Sequence, residues 1–250
     1  MKPKVSVIIA TYNRVHYLER AIESVLAQSY RDWEIIIIDD NSTDNTESAV
    51  QKYLSDNRIH YIRHPKNIHI LETRTEGVTK AQGEYIAMLD DDDFWNDTGK
   101  LKKQVAFLES HGDYNLIGTN AYAIDENEKV LFSLRYPLSD KSLRNRILIK
   151  NGFLNSSVLF RKNIAIECGL YDKNEKYVED YGLWLRMGQK GKFANLPDFA
   201  VKYRINNSGI TKTKNIEQIR NSFLVVKKNK KYYPGFSLAL LKWKLRALFP

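Results

Sequence analysis

Between residues 4 and 110 the chain alternates between two hydrophobic periods. Lys4-Val5-Ser6-Val7-Ile8-Ile9-Ala10 is an almost unbroken β-branched run, the pattern of a strand covered on both faces. Leu18, Ala21, Ile22, Val25 and Leu26 then recur at i, i+3, i+4, i+7 and i+8, one apolar face of a helix. Glu34-Ile35-Ile36-Ile37-Ile38 predicts a second buried strand, followed by a helix capped by Ser42, Thr43 or Asp44 and running to about Leu54. Arg58–Ile62 predicts a third strand, and a helix around Thr73–Ala81 ends at Gly83. The short apolar run Tyr85–Leu89 predicts a fourth strand. Such alternation is the pattern of an α/β fold, a doubly wound and mostly parallel sheet with right-handed crossovers.

After residue 110 the pattern changes. Tyr114–Ala123 and Lys129–Arg135 read as strands around a polar turn, Leu143–Lys150 as a helix, Asn155–Phe160 as a strand and Arg161–Glu167 as a short helix. Val178–Met187 carries Glu179 and Asp180 where first-turn acids belong, ahead of an apolar segment. Lys202-Tyr203-Arg204 closes a last strand before an Asn206-Asn207-Ser208-Gly209 turn. Three units follow: residues 1–110, residues 111–211 as the second half of the same domain, and a tail over residues 212–250.

Charge sharpens the last boundary. Residues 1–211 balance 29 basic against 29 acidic residues, while residues 212–250 hold 10 basic residues against Glu217 alone, so the tail carries the whole net charge of +9. Leu238, Leu241, Leu245, Leu248 and Phe249 follow helical spacing beyond the Lys227–Lys231 cluster. Basic and aromatic residues beside an apolar stripe suggest that residues 227–250 rest on an anionic membrane surface. The alternatives are a terminal helix docked on the body or an oligomer contact. A neutral body disfavours nucleic acid. No run approaches the ~20 apolar residues of a membrane span. Lone Cys168 excludes an internal disulfide, and no signal peptide precedes the first strand; both fit a cytoplasmic protein, peripheral on the inner face of the cell membrane.

The chemistry concentrates where strands end. Thr11-Tyr12-Asn13, Asp39-Asp40 and Asp90-Asp91-Asp92-Asp93 follow three strands that a parallel sheet brings to one edge, where open α/β sheets bind ligands. Four consecutive carboxylates repel one another, and a divalent cation bridging to an anionic substrate would relieve them; hard oxygens suit Mn²⁺ or Mg²⁺. The competing reading is a solvated acidic loop, against which stands the buried strand before it and Phe94-Trp95 after it. Neither a GxGxxG fingerprint nor a P-loop is present.

Val5–Thr11 with Tyr12-Asn13, Ile38–Asp44, Gly83–Ile86 leading into Leu89–Asp93, and Glu179-Asp180-Tyr181 closely resemble family 2 inverting glycosyltransferases of GT-A fold, densely over residues 3–95 and more thinly to about 210. The resemblance implies a nucleotide-sugar donor, usually a UDP-sugar. Thr11 and Asp39 match positions that contact base and ribose, with Tyr12 and Asn13 in the same nucleotide-binding set, and Arg74 matches a basic residue near the nucleotide. Asp90-Asp91-Asp92 matches the DxD-type motif, which makes Asp92 the expected metal ligand and Asp90 or Asp91 a ribose contact. Asp180 matches the catalytic base. Asn41 stands where the family often has Gly, and Asn tolerates left-handed backbone. The Gln-x-x-Arg-Trp motif of processive synthases is absent, so transfer of one sugar is expected, to a glycan acceptor, lipid-linked in surface polysaccharide or lipopolysaccharide assembly.

Trp95, Glu179 and Trp184 are candidate acceptor contacts, with ordinary packing as the competing role for both tryptophans. His64 and His69 flank a turn and are read as surface histidines, with phosphate contact as the alternative, and Arg204 as either a pyrophosphate or acceptor contact or a simple ion-pair partner. A nucleotidyltransferase acting on sugar phosphates and a non-catalytic nucleotide- or carbohydrate-binding module are the alternative functions.

Overall fold

The computed structural model describes residues 2–205 and 215–248. The turn expected at Asn206–Gly209 and Phe249 lie outside the described residues, as do the side chains of residues 215 and 244–248. Strands β1 (Val5–Thr11), β2 (Trp33–Asp39), β3 (Ile59–Arg63) and β4 (Tyr85–Met88) form the parallel half of one sheet in the order β3-β2-β1-β4. Every residue of β1 and β2 is buried, as their unbroken apolar runs require. Thr11 pairs with Asp39 in register, so the polar ends of β1 and β2 lie side by side, with the acidic run leaving β4 on their other flank.

Beyond β4 the sheet turns mixed. Strand β5 (Phe94–Trp95) forms its far edge, and β6 (Tyr114–Ile124), β8 (Leu159–Arg161) and β9 (Lys192–Arg204) fill the order β4-β8-β6-β9-β5, while β7 (Val130–Leu134) hangs antiparallel on β6. Alternate residues of β1 serve two cores. Val5, Val7 and Ile9 pack in one cluster with Leu18, Ala21, Ile22 and Val25 of α1 (Val15–Leu26) and with Leu101, Val105 and Leu108 of α4 (Lys100–Ser110). Ile8 belongs to the other, with Val78 of α3 (Ile70–Lys80) and the apolar residues of α7 (Glu179–Lys190). Each fully buried aliphatic side chain stabilises the fold by about 1.5–3 kcal/mol.

Several boundaries differ from expectation. The helix α2 (Thr46–Gln51) stops short of Leu54. Helix α5 (Asp140–Arg144) starts before Leu143, at a capping box in which Ser139 accepts from the Ser142 amide. Asn155–Ser157 forms a 3₁₀ turn rather than a strand, because all three side chains turn inward to polar partners; the strand begins at Leu159, ahead of α6 (Lys162–Glu167). Gly83 is not a left-handed cap: a Cβ there would sit 2.6 Å from the Ser6 amide nitrogen, so its role is close approach to β1.

The tail forms two helices, α8 (Asn215–Asn229) and α9 (Phe236–Leu248). Ile219, Val225, Val226, Tyr233, Ala239 and Trp243 join the core cluster that contains α7. The Tyr233 hydroxyl donates to the Leu185 carbonyl at 2.6 Å, and Lys242 Nζ to that of Ile149. The tail is therefore docked on the body along one side. Ile216, Leu224, Leu238 and Leu241 remain exposed on the other. No helix among the described residues is long and apolar enough to cross a membrane.

Candidate active site

A cleft of about 1330 Å³ opens at the edge where β1 and β4 end. Thr11, Tyr12, Arg14, Arg74 and Asp90 to Asp92 line it from the first half of the chain; Asn155, Glu179, Asp180 and Tyr203 line it from the second. Lys173, Lys176 and Gln218 of α8 also reach its wall.

The four carboxylates separate into three settings. Asp90 Oδ1 accepts from Arg74 Nη2 at 2.6 Å and from Asn155 Nδ2 at 2.9 Å. Arg14 Nη1 bridges Asp91 Oδ1 at 3.1 Å and Asp92 Oδ2 at 2.6 Å. Asp93 turns away into the core, where its oxygens accept from Ser156 Oγ at 2.5 Å and from the Arg204 amide at 2.8 Å. Burial, with the charges of Asp92 and Asp90, pushes the Asp93 carboxyl well above the usual carboxylate range. Burial likewise lifts Asp91 to about 7, against the pull of Arg14 and with a push from Asp92.

Asp180 and Glu179 open helix α7. Arg74, mostly buried, joins Glu179 Oε1 at 2.9 Å to Asp90 and so ties the two halves together. Asp180 Oδ1 accepts from the Tyr181 amide at 2.6 Å, and Asn151 Nδ2 stands 3.5 Å from Oδ2. Burial and then the charge of Glu179 push the Asp180 carboxyl up to about 7, partly offset by Arg74. A carboxyl at that value, partly open to the cleft, can both take and hold a proton near neutrality.

Several expected site residues sit elsewhere. Trp95 is buried, donating its indole N–H to the Ser156 carbonyl at 2.8 Å beneath the Lys100 amino group; Trp184 is fully buried against Phe160. Neither lines the cleft, because packing claimed both rings. Glu179 lines it but is 4% exposed and bonded to Arg74, a support for the second half. Asp39 is fully buried, accepting from the Ser42 amide at 2.7 Å and the Tyr61 hydroxyl at 2.6 Å. Asn13, in the left-handed region at φ 53°, binds the 42–44 loop, with Oδ1 accepting from the Thr43 amide at 2.7 Å. Asn41 is also left-handed, at φ 69°. Both Asp39 and Asn13 act behind the cleft wall.

His64 is not a surface histidine: its ring bridges Asp40 at 2.8 Å and Glu76 at 3.0 Å, and Asp40 in turn accepts from the Ile68 and His69 amides at 2.8 Å, fixing a turn on the cleft wall. Arg204 is 4% exposed and serves as a clamp, donating to the carbonyls of Asp92, Asp125 and Glu126. Arg14 and Asn155 are the residues that sequence reasoning missed. Arg14 directly follows the Thr11-Tyr12-Asn13 set, a position that could have signalled it; no spacing marked Asn155.

Among the described residues no three Asp, Glu, His or Cys side chains converge so as to hold a metal by themselves. What converges is the Asp91–Asp92 pair on a shared cation, Arg14. Two carboxylates completed by substrate phosphates and water are what Mg²⁺ and similar hard cations use in phosphate-handling sites, so the donor set fits such an ion.

Residues 6–173 match the model of Glycosyl transferase family 2. The chain is 34% identical over 221 residues to the putative teichuronic acid biosynthesis glycosyltransferase TuaG of Bacillus subtilis strain 168, covering 85% of this chain and 83% of that protein. It is 30% identical over 221 residues to the amylovoran biosynthesis glycosyltransferase AmsE of Erwinia amylovora, covering 86% and 82%. In fold it resembles S. aureus TarS 1–349 in complex with UDP-GlcNAc, with a TM-score of 0.71 at 20% identity over 90% of this chain and 66% of that one. The mannosyltransferase PcManGT from Pyrobaculum calidifontis, in complex with GDP-Man and Mn²⁺, gives a TM-score of 0.71 at 15% identity over 99% and 70%.

Proposed function

The chain belongs to glycosyl transferase family 2 and is a glycosyltransferase, and from that premise we propose that it moves one sugar from a UDP-sugar to a glycan hydroxyl in surface polysaccharide assembly, inverting the anomeric centre. Membership sets aside the nucleotidyltransferase and the non-catalytic module. The observation that carries the reading is a single cleft holding both the Asp91–Asp92 pair and Asp180, whose carboxyl is lifted to about 7. A UDP-linked donor is supported by the fold shared with a TarS complex containing UDP-GlcNAc, and the pathway by the names of TuaG and AmsE.

Asp92, with Asp91 beside it, would hold Mn²⁺ or Mg²⁺, which neutralises diphosphate and the leaving group's growing charge. Thr11, Tyr12 and Arg74 border the donor's place. Asp180 takes the proton of the acceptor hydroxyl as it attacks the anomeric carbon; the bond to the leaving phosphate breaks in the same displacement, and no protein nucleophile is used. Arg74 and the Tyr181 amide steady the carboxylate form of Asp180 before the proton arrives.

The acceptor we propose is lipid-linked and anionic. Lys173 and Lys176, both exposed, stand on the cleft wall near Asp180, while the acids between and beside them, Asp172 and Glu175, turn to Lys228 of α8. The exposed apolar side of the tail, with Lys227, Lys230 and Lys231 close by in sequence, suits an anionic bilayer surface. The test is a thermal-shift panel of nucleotide-sugars with and without Mn²⁺, followed by product analysis with the donor that binds. A Mn²⁺-dependent rise with UDP and one UDP-sugar, and release of UDP on transfer, is the expected result. A shift confined to GDP-, CDP- or dTDP-linked compounds would overturn the donor but keep the enzyme class.

A further inference from the structure

Arg14 occupies the place where a divalent cation is wanted. Its Nη1 lies 2.6 Å from Asp92 Oδ2 and 3.1 Å from Asp91 Oδ1, so one guanidinium corner takes one oxygen of each carboxylate. An ion held between the two carboxylates would compete for them, and a guanidinium and a divalent ion cannot share them without strong like-charge repulsion. The side chain is nevertheless free to leave. It is 30% exposed at the cleft, and its backbone is fixed separately, since the Arg14 carbonyl accepts from the Tyr17 and Leu18 amides at the start of α1. A swing of the side chain therefore need not disturb the helix.

We propose that Arg14 is a resident counter-ion of the Asp91–Asp92 pair, which yields the carboxylates to the metal and then pairs with the donor's diphosphate. The inference rests on the metal-assisted reading above and goes beyond it. Without ligand, the guanidinium bridges the two crowded carboxylates and holds them close, so the site is built before the ion arrives. The ion must displace it, which weakens binding of metal alone. A nucleoside diphosphate gives the released guanidinium a new bidentate partner, so nucleotide strengthens metal binding and metal strengthens nucleotide binding by the same factor. Arg14 is thus a positioning residue that couples the two loading events.

The experiment titrates Mn²⁺ into the full chain with and without UDP, reading free Mn²⁺ by its electron paramagnetic resonance. The Arg14→Met variant is expected to bind Mn²⁺ alone about tenfold tighter than the parent, within the usual 5–150-fold range of coupled sites. UDP is expected to improve its Mn²⁺ affinity less than it improves the parent's. Unchanged or weaker affinity for Mn²⁺ alone in a folded Arg14→Met overturns the proposal. If removing the charge prevents folding, Arg14→Lys decides: an ammonium lacks the rigid fork, so a smaller tightening is expected and none would overturn it. Parent protein that binds Mn²⁺ only with UDP, while both variants match it, sinks the Arg14 role alone. No Mn²⁺ binding by the parent under either condition sinks the metal-assisted reading too.

Discussion

Asp180→Asn should make the protein more stable and nearly inactive, and both effects can be sized. The Asp180 carboxyl rises from its ordinary 3.8 to about 7 on folding, chiefly through burial. Each pH unit between folded and unfolded pKa is worth about 1.36 kcal/mol, so ionised Asp180 opposes folding by on the order of 4 kcal/mol. Asp180 is partly open to the cleft, where solvent screens it, so about half that is the expected net gain from a neutral amide that keeps the Tyr181 contact.

The sign follows from the raised pKa. Below about pH 4 both folded and unfolded states hold the proton, and the effect is absent. Between about pH 4 and 7 only the unfolded state ionises, so the parent loses stability as pH rises. Above pH 7 the penalty is complete. Thermal melts at pH 5, 6, 7 and 8 should therefore show the Asp180→Asn variant pulling ahead of the parent with pH, reaching a gain of about 4–8 °C at pH 8. Turnover should fall by about 10²–10⁴ through loss of the general base. A melting difference independent of pH would refute the electrostatic argument, and turnover within tenfold of the parent would refute the catalytic one.

Arg74→Ala leaves Asp90 and Glu179 without their shared cation and should cost about 3–5 kcal/mol in urea unfolding; it should also move the acid limb of kcat/KM to higher pH, because Arg74 holds Asp180 down. Gly182→Ala places a Cβ 1.8 Å from Glu175 Oε2, an oxygen held by Arg186 at 2.6 Å, and should lower the urea midpoint by the equivalent of about 2–3 kcal/mol. Leu238→Glu with Leu241→Glu alters side chains that are 63% and 58% exposed, so the fold should keep its stability to within about 0.5 kcal/mol a site. Cosedimentation with anionic vesicles should be lost in that pair, and undiminished binding would remove the membrane role from this face.

The parallel half was legible because its signals are local. Seven consecutive buried residues in β1 and in β2 leave their mark in the sequence as unbroken β-branched runs, and strand ends that must share an edge can be listed without knowing any distance. What the sequence withheld depends on long-range pairing. Four adjacent aspartates look alike on paper, yet Asp93 faces Ser156 and Arg204 while Asp92 faces Arg14, a division that only the return of β8 and β9 creates. Trp95 and Trp184 read on paper as either cleft or core residues, and only the assembled core assigns both to packing. His64 reads as a surface residue because its two carboxylate partners lie 24 and 12 positions away. The tail hides its docking for a similar reason: its buried residues are no more apolar than its exposed ones, and α7 with Leu148 and Ile149 of the body decides which side is covered.

Helix α8 holds the loop that leads into α7. Gln218 Nε2 donates to the Tyr177 carbonyl at 3.1 Å and Asn221 Nδ2 to that of Lys176 at 3.0 Å, where Tyr177 sits in the left-handed region at φ 65°. A strained residue keeps such a conformation only while its surroundings enforce it, and Asp180 follows three positions later. The segment that carries the family's signature, residues 6–173, ends before both. Grafted onto another chain, that segment would bring the donor-side carboxylates and Arg14 but neither Asp180 nor the helix behind its loop. With Asp180 as the proposed base, the smallest transplantable enzyme in this sequence would be larger than its recognisable family segment and would reach into the basic tail.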